Sequence, residues 1–357
     1  MATALAPTVF TFPAGETGSV DKMVKQFWER TALETRVPNL VFSELVDRSG
    51  SHCWKRIPAR EGDVINFWKL PLLDAKTTAL AETAADGAGQ AISAAQVQAT
   101  CAEYGDYIMS SDIVDVIALA DPREAFGKAL MFQALRTFDT LLRLQCHSGG
   151  TKKYKDMSST ATAASTIAAT DVLTRSMLEK LGIAFKDNYI PPSEDGFYTY
   201  ISHHRPIKDL RADTSTGGWL DATKYAPSDE EKQWLQQAYV GRCENFMIFE
   251  SPEVSSLTAG ASSAKVYYNV AGGYEGLAAI SLSGEHTPEP PKKGTGAQKG
   301  RPKKYGGYNI HLIHKPVGSS GIADPLDRRW TLGWKFNTVC KVLDANAILV
   351  HEVGSDA

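Results

Sequence analysis

The chain has 357 residues, 43% hydrophobic and 22% charged, which is ordinary globular usage and long enough for two or three lobes around a sizeable core. A formal net charge of -3 leaves no domain-scale basic footprint, which argues against a dedicated nucleic-acid binder. Five cysteines (Cys53, Cys101, Cys146, Cys243 and Cys340) lie 45 or more residues apart with no C-x-x-C pair, so neither a thiolate zinc site nor a dense disulfide framework is expected.

The opening "MATALAPTVFTFPAGETGSV" has no basic residue before Lys22 and no long apolar run, so it does not read as a signal peptide. Nowhere do about 18 consecutive apolar residues occur, and the expectation is a soluble, cytoplasmically made protein without a membrane span. Residues 19–35 predict a short amphipathic helix, with Val20, Met23, Val24, Phe27 and Trp28 at helical spacing. "NLVFSELV" and "DVINFWKL" then read as two β-runs. Residues 79–99 are dominated by Ala, Gly, Ser and Thr, with turn chemistry at "ADGAGQ"; such a segment predicts a projecting hairpin that packs on something else.

The strongest local signal follows. Asp121 is a good N-cap, Pro122 suits the first helical position, and Glu124 stands in capping-box register. Behind them Phe126, Leu130, Ala134, Phe138 and Leu141 form one apolar stripe, predicting a helix over 122–147 of roughly 39 Å at ~1.5 Å per residue. Residues 158–170 read as a connector, and a second helix is expected from Thr170–Asp171 to Gly182. "GFYTYIS" reads as a strand, and "SDEEKQWLQQAYVG" as a third helix stopped by Gly241. Residues 283–307 form a Pro/Gly/Lys loop. In "WTLGWKFNTVC", Leu332, Trp334 and Phe336 alternate with Gly333, Lys335 and Asn337, the pattern of a half-buried strand, with "AILVHEV" as its expected sheet neighbour.

Candidate chemistry centres on "YTYISHHRPIKDLRAD", where His203 and His204 adjoin Arg205, Asp209 and Asp213. Read as the end of a strand, the two histidines point to opposite faces and fail as a chelate, and no zincin pattern surrounds them. His311 and His314 diverge in the same way. No phosphate loop, G-x-G-x-x-G, G-x-S-x-G or aspartic-protease triplet is present, so no catalytic residue, cofactor or metal site is assigned.

Four stretches in order carry a family likeness: "YGDYIMSSDIVD" leading into "DPREAFGKAL", then "YTYISHHRPIKDLRAD" with Trp219 and Tyr225 downstream, "VGRCENFMIFESPEV", and "ADPLDRRWTLGWK". Over residues 60–357 the chain resembles the major capsid (coat) proteins of tailed bacteriophages, in particular the N4-like podophage coat family. Arg205 between His204 and Pro206, and Glu244–Asn245 after the glycine turn, depart from the family pattern in local turns.

The resemblance implies an α+β, Hong-Kong-97-like capsid fold divided as follows. Residues 1–63 are an N-terminal arm with the first peripheral elements, and 64–104 an extended loop overlapping a neighbouring subunit. Residues 105–169 are a peripheral lobe with its spine helix, 170–307 an axial domain, and 308–357 strands returning to the peripheral lobe. It marks Tyr104, Gly105, Asp121, Pro122, Pro206, Trp219, Gly241, Asp324, Pro325, Trp334 and Lys335 as structural or assembly positions.

The implied function is a non-enzymatic subunit that self-assembles, as pentamers and hexamers, into the icosahedral shell of a double-stranded DNA phage. Scaffolding, portal and decoration proteins and non-specifically held DNA are its expected partners, with no cofactor and no membrane. The virion is its expected location, after assembly in the host cytoplasm. Two alternatives stand beside it: an encapsulin-type nanocompartment shell, and a metal-dependent hydrolase using His203 and His204.

Overall fold

The computed structural model describes residues 41–50, 53–58, 60–70, 72–77, 92–117, 122–157, 163–193, 195–213, 239–282, 312–319 and 326–355. The expected helix at 19–35, the Asp121 cap, the hairpin tip, Trp219, Tyr225, most of the expected third helix, the Lys-rich loop, His311, Asp324 and Pro325 lie outside them.

The first half contributes helix α1 (Ser43–Arg48), strands β1 (Trp54–Ile57), β2 (Val64–Lys69), β3 (Ala95–Thr100) and β4 (Ala102–Ser111), helices α2 (Asp112–Ile117) and α3 (Pro122–Gly149), and β5 (Thr151–Tyr154). There follow α4 (Arg175–Asp187), β6 (Tyr198–Ser202), α5 (His204–Ala212), β7 (Tyr239–Cys243), β8 (Phe246–Glu250), β9 (Ser256–Thr258), β10 (Lys265–Gly272) and β11 (Leu277–Leu282). The chain ends in β12 (Leu312–Lys315), β13 (Arg329–Val342) and β14 (Ile348–Val353).

Two sheets organise these elements. The first is built on β13, with antiparallel β4 along one edge, antiparallel β11 and β12 sharing the other, and β1 parallel to β11. The second runs β5-β14-β10-β6-β8-β7, with β9 also on β10. Among the described residues β2 and β3 pair only with each other.

α3 is 28 residues long, about 42 Å at ~1.5 Å per residue. It lies along the first sheet because its apolar period matches that of β13. Leu130, Ala134, Phe138, Leu142 and Cys146 recur every fourth residue and are all buried. They face Trp330, Leu332, Trp334 and Phe336, every second residue of β13. The stripe continues through Leu142, four past Phe138, whereas Leu141 is only partly covered. Trp334 stacks on Phe336 at 5.0 Å, Phe126 on Trp330 at 6.1 Å, and Phe138 meets Phe336 edge-on at 6.4 Å. The Trp334 indole N–H, which burial would otherwise leave costly, donates to Gln133 Oε1 at 3.2 Å.

The structure corrects several expectations. "NLVFSELV" is not a strand in its described part: Ser43–Arg48 is helical, and its buried side chains fill the space between the two sheets. The second helix begins at Arg175 and runs through Gly182 to Asp187, so this glycine does not terminate it. Gly241 stops no helix; it lies in β7 at a register shift against β8, with φ 147°.

"AILVHEV" does not pair with "WTLGWKFNTVC", for β14 joins β10 and β5 in the second sheet. Sheet membership likewise does not follow chain order. β5, from the stretch assigned to the peripheral lobe, sits in the second sheet, and β11, from the stretch assigned to the axial lobe, sits in the first. The chain crosses between sheets at β10–β11 and β13–β14, and Gly272 stands at the first crossing. A Cβ there would meet Leu45 Cδ2 at 2.5 Å.

The second core contains α4, α5 and the inner residues of the second sheet. It carries a buried polar chain: His351 Nε2 lies 2.7 Å from the Lys155 carbonyl and so must carry the proton, leaving Nδ1 to accept from Tyr200 Oη at 3.1 Å. Burial pushes the His351 imidazole down to about 4.

Two outcomes are expected. Gly105→Ala puts a Cβ 2.8 Å from the Trp334 carbonyl oxygen across the β4–β13 pair, and urea denaturation should record a loss of about 1–3 kcal/mol. His351 binds its proton less readily folded than unfolded, so its contribution is complete above the ordinary histidine range and is lost as pH falls toward about 4. The unfolding free energy from urea titrations across that window should fall by up to ~1.4 kcal/mol per pH unit from this group, and His351→Gln should flatten the slope.

Candidate assembly surface

The double histidine must be settled first, and its geometry differs from the expected one. The strand ends at Ser202; His203 is the N-cap of α5 and His204 its first residue. The two rings therefore do not diverge but stack, with centroids 3.8 Å apart and planes tilted by 33°. Strand alternation fails because the chain turns into a helix between the two residues.

The first ring has a structural role instead. His203 Nδ1 accepts the Arg205 backbone N–H at 3.3 Å, which caps the helix, and the other face of the ring lies 4.8 Å from the Tyr267 ring. Burial, His204, Lys265 and Arg205 together push its imidazole down to about 4. Among the described residues no cluster of three His, Cys, Asp or Glu side chains could hold a metal. The following "PIKDLRAD" is helical to Ala212, with Pro206 buried in the first turn, where a missing N–H costs nothing.

The free surface tells more. β2 and β3 pair from Val64↔Thr100 to Lys69↔Ala95 and leave the body as an arm. Its inner face, with Ile65, Phe67 and Ala99, rests against Ile57 and Ile280 of the first sheet. Lys69 ion-pairs with Asp344 in the turn before β14 and fixes the arm's base. Beyond that anchor the apolar residues face solvent: Trp68 is 72% exposed, Leu72 83% and Ile92 61%, with Leu70 and Leu73 also exposed. Four of these lie within six residues, a concentration that marks a contact surface rather than scattered surface leucines.

A second apolar area lies on the face of β13 turned away from α3. There Tyr107 of β4 stands opposite Gly333, which stands opposite Ile313 of β12, while Met109 stands opposite Thr331. Tyr107 and Met109 are both more than half exposed. A Cβ at Gly333 would lie 2.8 Å from Tyr107 Cβ, so glycine leaves the centre of this face open for the tyrosine. The arm's exposed residues were missed in the sequence because "FWKLPLLD" carries the composition of a core strand. Only its position beside the small-residue stretch hinted at projection.

Of the family-motif positions, the structure brings four together. Tyr104 lies opposite Phe336 with ring centroids 6.0 Å apart, and Gly105 lies opposite Lys335. Trp334 lies opposite Asp106, and the Lys335 ammonium sits 3.1 Å from Glu103 Oε1. Pro122 is the first residue of α3. Pro206 in α5 and Gly241 in β7 belong to the second sheet's lobe, apart from these. Asp121, Trp219, Asp324 and Pro325 are outside the described residues.

His203→Ala should destabilise the chain by about 0.5–2 kcal/mol through loss of the cap, and His203→Asn should restore most of it. Thermal unfolding of the two variants measures this. Bound zinc, manganese or iron should be absent from all three proteins, and stoichiometric metal lost with His203 would contradict the capping role.

No family model matches the chain, and no curated protein matches it in sequence. Solved structures match it along nearly its whole length. The capsid asymmetric unit of cyanophage Pam1 is 13% identical, covers 96% of this chain and 99% of its own, and gives a TM-score of 0.66. The capsid of Ralstonia phage GP4 is 13% identical, covers 99% of each chain, and gives 0.64. A structure of Mycobacterium phage Che8 is 14% identical, covers 92% of this chain and 96% of its own, and gives 0.58. The mixed helix-and-sheet architecture, with its arm, long helix and two sheets, is the Hong-Kong-97-like fold of phage capsid structures.

Proposed function

We propose that this chain is the major capsid protein of a tailed double-stranded DNA bacteriophage, self-assembling into an icosahedral head shell. The observation that carries the reading is the full-length likeness to phage capsid subunits, in a chain that carries an arm with exposed apolar residues. A lone subunit leaves Trp68, Leu70, Leu72 and Leu73 in water; each side chain buried in full on a neighbour contributes about 1.5–3 kcal/mol. The outer face of β4, β13 and β12, with Tyr107 and Met109, supplies a complementary apolar surface on the next copy. Because arm and receiving face are different patches, the contact is heterologous and closes into rings, which suits pentamers and hexamers.

Within this reading, residues 64–104 are the extended loop, α3 is the spine of the peripheral lobe, and the second sheet with α4 and α5 forms the axial lobe. Tyr104, Gly105, Trp334 and Lys335 shape the sheet under the receiving face. Membership of the N4-like branch rests on the four ordered sequence stretches. Scaffolding, portal and decoration proteins, non-specifically held DNA, and assembly in the host cytoplasm before incorporation into the virion follow from the same reading. The subunit is structural, not enzymatic.

Electron microscopy of the purified chain should reveal shells or five- and six-membered rings, and a compact monomer at high concentration would sink the proposal. Leu72→Asp should abolish these assemblies while leaving the circular dichroism of the subunit unchanged and its unfolding free energy within ~0.5 kcal/mol of the parent, since the residue is exposed. Unchanged shells in that variant would remove the arm from the assembly contact.

A further inference from the structure

α1 is only six residues long, yet it is tied at both ends to different parts of the subunit. At its C-terminal end Arg48 Nε donates to Thr199 Oγ1 at 2.8 Å, and Arg48 Nη1 pairs with Asp195 Oδ2 at 2.9 Å, both beside β6 of the second sheet. Ser49 Oγ donates to the Gly273 carbonyl at 3.5 Å, where the chain crosses between sheets. At its N-terminal end no side chain of its own caps it. The cap comes from the spine: Asp139, at the middle of α3 and 4% exposed, accepts the Phe42 N–H at 2.9 Å and also bonds the Ser43 N–H. Between these ties Leu45 and Val46 fill the first core.

The same stretch of α3 is joined to the second sheet's lobe. Arg136 and Arg143 pair with Glu253, in the turn after β8, at 2.9 and 3.5 Å, and Arg143 also donates to the Glu253 carbonyl. Asp139 thus stands where the spine, α1 and the second sheet's loop meet.

We propose that α1 is a rivet between the spine helix and the second sheet, and that the protonation state of Asp139 sets how firmly its N-terminal end is held. The groups facing the carboxyl define the electrostatics. On α3 they are Arg143, one turn on, and Cys146; from the loop after β8, Glu253; from β13, Cys340. α1 brings the Phe42 and Ser43 N–H groups and, in its first turn, the buried Glu44. Burial raises the Asp139 pKa to about 7 and Glu253 adds to the rise, while the two N–H groups and Arg143 oppose it. With α1 undocked the carboxyl is hydrated and takes its ordinary carboxylic pKa. The docked form therefore holds one more proton between the ordinary carboxylate range and about 7, and docking weakens as pH rises through that window. Above it both forms are ionised and the pH dependence ceases. This holds whatever the subunit assembles into.

Amide hydrogen exchange on the full chain, read on the peptide spanning residues 42–49 and corrected for intrinsic exchange, tests the proposal. Protection should fall by up to about tenfold per pH unit from pH 5 to 7 and then level off. Asp139→Asn keeps an acceptor oxygen but cannot ionise, and its protection should stay flat. A flat parent profile, an equal slope in Asp139→Asn, or an equal fall at the β10 and β14 amides would each overturn the proposal. If Asp139→Asn does not fold, Glu253→Gln serves instead. It removes the carboxylate that raises the Asp139 pKa, so the break in the profile should move to lower pH, and an unmoved break overturns the proposal.

Discussion

The structure depends first on the contact between α3 and β13. One is a helix with a buried residue every fourth position, the other a strand with a buried residue every second, and the two apolar surfaces pack in one core. β13 could not serve if it were an edge. It is hydrogen-bonded along both sides, by β4 on one and by β12 and β11 on the other. The helix thus rests on a sheet held rigid from both directions. Once it is in place, the outward face of that sheet and the arm leading into β4 have fixed positions relative to each other.

The second constraint is that neither sheet is contiguous in sequence. β11 leaves β10 for the first sheet, and β14 leaves β13 for the second. Every crossing places backbone between two packed cores, where polar groups need partners and side chains have little room. The Gly273 N–H answers this by donating to the Ala347 carbonyl at 2.8 Å, and Gly272 by having no Cβ to strike Leu45. α1 fills the remaining gap. Its place between the sheets explains why a segment so short is helical at all, since a six-residue helix has too few internal bonds to persist without tertiary contacts.

The double histidine shows how a helix start overrides strand alternation. The strand ends one residue before the pair, and the two rings lie together at 3.8 Å and do not separate. The first ring caps the helix through Nδ1 and packs beside both His204 and Tyr267. The arm shows the limits of composition. "FWKLPLLD" has the composition of buried strand, yet Trp68, Leu70, Leu72 and Leu73 are exposed among the described residues. Composition records that a residue prefers burial, not whether its own chain or another supplies the cover.

By itself the sequence determined the elements whose signal is periodic and local. The four-residue stripe of α3 and the two-residue alternation of β13 follow from helix and strand geometry and need no distant partner to be recognised. The order of the family-like stretches further pointed to a fold that no single stretch specifies. Only the tertiary structure decided what depends on long-range contact: the helical state of α1 and α5, the sheet to which β11 and β14 belong, and the capping of α1 by Asp139, 97 residues away from Phe42. Those outcomes rest on burial against partners remote in the chain, and a short window of sequence carries no trace of a partner that folding alone brings near.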